Sequence, residues 1–191
     1  AISDSADIVI NEINYNSADD YDTQDWVELT NNGGSAINLS GWQFKDEDDS
    51  HVFIIPEQTI LENGAFIILA EDTAVFNGFF PESGAVIGNL DFGLSGGGEL
   101  IRLYNGNGVL IDQVLYDDND PWPDEADGDG PTLELINQNF DNSLPESWNY
   151  SNEPYGTPGT ENSVYQGLTT DNIFPVPMHY MLHQNYPNPF N

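Results

Sequence analysis

Short runs in which apolar and polar positions alternate, or in which β-branched residues follow one another, recur along the whole chain, and helical periodicity is hard to find. The runs predict strands over residues 7–16, 25–31, 35–40, 42–46, 51–56 and 65–70, then over 85–89, 98–105, 109–116 and 131–136. Turn signals separate them: NNGG at 31–34, ENG at 62–64, SGGG at 95–98 and NGNG at 105–108 supply positive-φ positions suited to hairpins. In VLIDQVLY (109–116), apolar side chains fall on both faces near the middle, as in a strand packed inside a sandwich. Only EDTAVFNGFF (71–80) reads as a short helical turn. Strands at this spacing, with almost no helix between them, predict an all-β sandwich. Beyond residue 137 the periodicity fades, and Trp148 and Tyr155 are expected to pin a meandering segment against the sandwich. Residues 1–166 are therefore expected to form one domain and residues 167–191 a linker with the beginning of another.

Composition makes the charge the dominant feature: 33 acidic residues face Lys45 and Arg102 alone, a formal net charge of -31. Nucleic-acid binding draws its affinity from basic side chains that release counterions, so direct DNA or RNA binding is excluded as a working reading. Anionic membrane surfaces are disfavoured for the same reason. A hydrophobic share of 38%, with 10 Phe, 9 Tyr and 4 Trp, is nevertheless the payload of a folding chain and not of a disordered acidic polymer. The absence of cysteine removes disulfides, thiolate metal sites and cysteine nucleophiles. No run approaches the roughly 18 apolar residues that span a bilayer. The opening AISDSAD has no initiator Met and no basic signal-like segment, as expected of a mature end left by a signal peptidase or of an arbitrary boundary.

Several words along the chain appear together in one known order. IVINEINYN, DWVELTNNGGSAINLSGW, IPEQTILENGAFIILA, FGLSGGGELIRLYNGNGVLIDQVLY and SWNYSNEPYGTPGTEN, spread over residues 8–163, resemble the lamin tail domain. That family is an immunoglobulin-like sandwich found at the end of nuclear lamins and in many secreted bacterial proteins. The final HQNYPNPFN resembles the start of a type A C-terminal sorting domain, which implies export by a type IX secretion system to the cell surface or medium.

In the tail-domain words, Asn11 and Glu12 of the first strand should neighbour Trp26, Glu28 and Asn31 of the second. Glu12 shares parity with Ile8 and Ile10, and Glu28 with Trp26, so each acid is expected on a semi-buried face, where it must be paired, hydrogen-bonded or metal-bound to stay charged. Hydrogen bonds to loop backbone, or to Ser40 and Trp42, are the plainer expectation; catalysis is the sharper one. Acid-rich loops carry the candidate metal chemistry. DEADGDGPTLE offers Asp124, Asp127, Asp129 and Glu134; YDDNDPW offers Asp117, Asp118 and Asp120; KDEDDSH offers Asp46 and Asp48; SADDYDTQD (17–25) is a fourth cluster. Calcium takes six to eight oxygens, and such loops can provide them with affinities no tighter than about 10⁻⁴ M. For each cluster the alternative is a solvated loop that keeps the protein soluble.

Catalysis has little support: His51, His179 and His183 are the only histidines, and neither a Ser/His/Asp order nor an HExxH word is present. The expected function is that of a non-catalytic, exported β-sandwich with a structural, adhesive or extracellular-fibre role, stiffened by Ca2+. Its partners would be surface or matrix components or further copies of itself, with no nucleic acid and no membrane insertion. Two rivals stand beside it. One is an accessory domain of a larger secreted hydrolase or nuclease. The other is a carbohydrate-binding module using Trp42, Trp122 and Trp148 as sugar platforms.

Overall fold

A computed structural model describes residues 7–167. The first half holds β1 (Ile8–Asn14), β2 (Trp26–Asn31), β3 (Ile37–Asn38), β4 (Gln43–Lys45), β5 (Phe53–Ile54), β6 (Ile60–Leu61) and β7 (Phe66–Ala70). Helix α1 (Thr73–Phe79) follows, then β8 (Ala85–Gly88), β9 (Glu99–Tyr104), β10 (Leu110–Tyr116), β11 (Leu133–Leu135) and β12 (Trp148–Tyr150). The strands form a six-stranded sheet in the order β12-β11-β1-β2-β7-β8, a four-stranded sheet β10-β9-β4-β5 and a small β3-β6 pair. The fold is an immunoglobulin-like β-sandwich: the alternating pattern predicts the all-β sandwich, and the family resemblance implies its immunoglobulin-like form. Ile8, Ile10, Leu29 and Leu133 of the larger sheet pack on Phe44, Ile101, Leu103 and Val114 of the smaller one in one buried core.

All pairings are antiparallel except β7 with β8, where α1 makes the crossover. The helix begins where Asp72 accepts hydrogen bonds from the amides of Ala74 (2.8 Å) and Val75 (3.0 Å), satisfying donors that a helix start leaves unpaired. Its Phe76 is fully buried against Trp26, Ile68 and Ala70, so the helix covers part of the outer face of the six-stranded sheet.

Two strands escaped the sequence pattern, β6 and β12. The first is two residues long, and the second lies in the stretch that reads as a meander. One face assignment is corrected. The register between β1 and β2 slips between Ile10 and Glu12, so Asn11 is an extra, bulged residue. The bulge reverses the alternation: Ile8, Ile10 and Ile13 all point into the core, and Glu12 faces the opposite way, with Glu28, on the outer side of the sheet.

Candidate functional site

Glu12 on β1 lies directly opposite Glu28 on β2 and Glu134 on β11, a row of three carboxylates across the centre of the six-stranded sheet. Each is completely shielded from solvent. Facing side chains on neighbouring strands stand about 5 Å apart at Cβ, so three charges here would repel strongly with no water to screen them. The segment 153–164 folds over the row and supplies donors.

The Thr157 amide donates to Glu12 Oε1 (2.9 Å), and the Thr132 hydroxyl donates to the same oxygen (2.6 Å). Glu28 accepts from the Gly159 amide (2.6 Å) and from Asn11 Nδ2 (2.8 Å). Glu134 accepts from the hydroxyls of Thr157 (2.7 Å) and Ser163 (2.7 Å) and from the Val164 amide (3.1 Å). Asn162 closes the latch: its Nδ2 donates to the carbonyls of Asn11 and Leu135, both at 2.9 Å, and its Oδ1 accepts from Asn11 Nδ2 (2.7 Å). The bulged Asn11 thus joins sheet and clasp. Gly156 and Gly159 have positive φ, +86° and +85°, and a Cβ on Gly156 would drive into Glu12 Oε1, so the clasp approaches as closely as it does only through glycine.

The donors are shared unevenly. Glu12 Oε2 is buried without a hydrogen-bond partner, while both oxygens of Glu28 and of Glu134 accept. Burial raises the Glu12 pKa well above the ordinary carboxylate range, and the flanking Glu28 and Glu134 push it further. Burial pushes Glu28 up to about 8 against the pull of its Gly159 and Asn11 hydrogen bonds. A neutral Glu12, protonated on its unpartnered oxygen between two hydrogen-bonded neighbours, is the arrangement that relieves the row. Loop amides of Thr157, Gly159 and Val164 do bond these acids, alongside four side-chain donors not expected from the sequence, whereas Ser40 bonds Asn38 and the Gln58 amide instead.

Of the acids singled out in the loops, Asp117, Asp118, Asp124 and Asp127 act electrostatically on Tyr15, whose buried hydroxyl has no hydrogen-bond partner. Burial chiefly, and these four charges in addition, hold the Tyr15 pKa above its usual range. Asp127 accepts from Asn16 Nδ2 (2.7 Å), and Asp117 from the Asn119 amide (3.0 Å). Asp120 and Asp129 are exposed. Glu134 stands in the buried row and not with the aspartates of its own loop. Asp46 and Asp48 form a separate group: Asp46 bonds His51 Nδ1 (2.6 Å), and Asp48 accepts from the amide and hydroxyl of Ser50. That Asp46 bond raises the His51 pKa, and the ring stacks on Phe92. The 17–25 cluster borders a polar cleft of about 330 Å³ beside Glu71, where burial pushes Asp25 up to about 7. Among the described residues, no group of three or more histidine, aspartate or glutamate side chains is gathered as a metal ion requires.

Trp42, Trp122 and Trp148 are 6%, 7% and 3% exposed and belong to the core, so none is a sugar platform. Tyr155 does pin its segment, stacking on Tyr21 at 3.7 Å between ring centres. His179, His183 and the NYPNPFN word lie outside the described residues. The alternation pattern could not disclose the row, because the bulge hides its parity. The usable signal was an acid in the middle of each of three otherwise apolar strands.

The family model described as Lamin Tail Domain matches residues 1–118. Strands β11 and β12 and the clasp lie beyond the match. Among solved structures, a DUF4876 family protein from Bacteroides thetaiotaomicron is similar at 12% identity and a TM-score of 0.43, over 61% of this chain and 55% of that one. The chain thus spans about half the length of that protein. No curated protein matches.

Proposed function

The chain belongs to the lamin tail domain family, and from that premise we propose that it works outside the cell as a non-catalytic structural or adhesive module. The observation that carries the reading is the clasped row: the sheet's three buried carboxylates are engaged in tying residues 153–164 to the strands. The same holds for His51, the only histidine among the described residues, which is committed to Asp46 and Phe92. The row and His51 therefore stiffen the sandwich, and Asp25, at the polar cleft beside Glu71, is engaged by the Leu94 amide. Export is supported by the NYPNPFN word, and a saline, extracellular setting suits a net charge of -31, because dissolved ions screen its self-repulsion. For cations, the support is the density of aspartates in the loops alone, since among the described residues no three of them are gathered as a single metal ion requires. There calcium would act as a loose bridge of extracellular affinity, about 10⁻⁴ M or weaker.

The test pairs retention with turnover. Purified protein is mixed with bacterial extracellular matrix and, separately, with chromogenic ester, glycoside and phosphodiester substrates. Retention on the matrix without turnover is expected. Turnover that disappears in Glu12→Gln or Glu28→Gln would overturn the structural role. Electron microscopy across calcium and salt concentrations addresses the fibre form of the same reading, against which dispersed particles throughout would count.

A further inference from the structure

Both cationic side chains of the protein, Lys45 and Arg102, sit directly opposite each other on β4 and β9. The register shows what shares their side of the four-stranded sheet. Leu115 lies opposite Leu100, and Gln113 opposite Arg102. Leu110 and Gln43 both lie opposite Tyr104, and Ile54 lies opposite Gln43. The alternate residues Phe44, Ile101, Leu103 and Val114 enter the core, so this set faces outward. No member of it is acidic. The two acids of these strands are turned away: Glu99 is buried and bonds the Ser95 amide, and Asp112 bonds the Ile10 amide and Asn142.

The same face is open and aliphatic. Leu115 is 62%, Ile54 61% and Leu110 43% exposed. Among the described residues Lys45 forms no ion pair and lies over the Tyr104 ring, while Arg102 is neutralised by Asp49. On a molecule of charge -31, an aliphatic sheet face whose strands turn no carboxylate outward, and which Asp49 reaches only paired with Arg102, is a surface kept clear of the repulsion that the acids impose elsewhere.

We propose that the outer face of the four-stranded sheet is where two copies of this chain meet, face to face about a twofold axis. Charge selects the occupant and the symmetry together. Two bodies of equal and large negative charge approach at least cost through the patch whose strands turn no carboxylate outward and where Arg102 neutralises Asp49, and that patch is the same on both copies. An isologous pair is the outcome, closed and not open-ended. Four strands at about 4.8 Å spacing and some 20 Å of β10 cover roughly 400 Å² in projection, about half of a standard interface per partner. The dimer is therefore weak, and it strengthens as salt screens the acids at the rims.

Sedimentation velocity of the full chain from 20 to 500 µM, in EDTA with 0.15 and 0.5 M NaCl, tests this. A monomer–dimer equilibrium shifting toward dimer at the higher salt is expected. Leu115→Glu places a carboxylate from each copy in the joint and should raise the dimer Kd at least about tenfold, as like charges brought together in an interface do. Phe79→Glu, on α1 at the opposite side of the sandwich, should leave it unchanged; thermal melts confirm that both variants are folded. A monomer under all conditions would leave the face to a foreign partner and overturn the proposal. So would open-ended growth, a dimer that weakens with salt, or a dimer indifferent to Leu115→Glu.

Discussion

Replacing Glu12 by glutamine isolates the protonation of the buried row. The amide keeps an oxygen for Thr132 and Thr157 and places an uncharged group where Oε2 has no partner. It is therefore a near-isostere of the neutral acid and a poor mimic of the carboxylate. The sign follows from linkage. Glu12 has a folded-state pKa raised by burial and by its two acidic neighbours, so above the ordinary value near 4.5 the unfolded chain loses a proton that the fold retains. Each pH unit above that point costs the wild type about 1.4 kcal/mol until the folded pKa is reached, and below it the cost vanishes. Glutamine carries no such cost, so the stability of Glu12→Gln relative to wild type should improve as the pH rises above the ordinary carboxylate range, by about 1.4 kcal/mol for each pH unit over which the folded acid keeps its proton. Background repulsion cancels in the difference. Urea titrations at constant ionic strength, followed by the fluorescence of the buried Trp26, Trp42, Trp122 and Trp148, provide the numbers. A variant penalised equally at pH 5 and pH 8, or more at pH 8, would mean that Glu12 is ionised in the fold and would refute the neutral centre of the row.

Gly156→Ala should destabilise by about 2–4 kcal/mol, because a left-handed backbone position acquires a Cβ pressed into Glu12 and Thr132; equilibrium denaturation checks it, and a neutral effect would dismiss the tight clasp. His51 should titrate above 6.5, and Asp46→Asn should bring it down, both visible in proton NMR; an unchanged midpoint would remove Asp46 as the cause. Calcium in the millimolar range should raise Tm relative to magnesium at matched ionic strength, and Asp127→Asn with Asp118→Asn should abolish the difference. Identical melts in the two salts would end the calcium proposal. Soluble polysaccharides should leave tryptophan emission unshifted, since all four indoles are buried; a shift on addition would revive the sugar-binding rival.

The strand pattern was legible most directly where one face is open: in β9, Glu99, Ile101 and Leu103 are buried while Leu100, Arg102 and Tyr104 are partly open, whereas β2 and β11 are buried throughout. Asp72 likewise announces α1, a helix start in an otherwise extended chain. What alternation cannot carry is a local change of count. One extra residue at Asn11 moved Glu12 to the other face, and that shift hid the row from a parity argument. The words NE, WVEL and TPGTEN were visible separately, but that they bond one another depends on residues 12 and 157 meeting in space, which no local signal encodes. The loop aspartates show the converse. Their density was plain in the sequence, yet density does not decide convergence: among the described residues no three of these acids come together as a metal ion requires, and Glu134 leaves its loop for the sheet.

The bond between Glu12 and Thr157 spans 145 residues, and this sets a clock on biosynthesis. At about 5–20 residues per second of translation, the first strand emerges roughly 7–30 s before the segment that covers it. Until then β1 lacks both its β11 neighbour and its lid, and Glu12 and Glu28 remain wet and unclasped. Closure of the sheet is thereby deferred until residues 153–164 have been made.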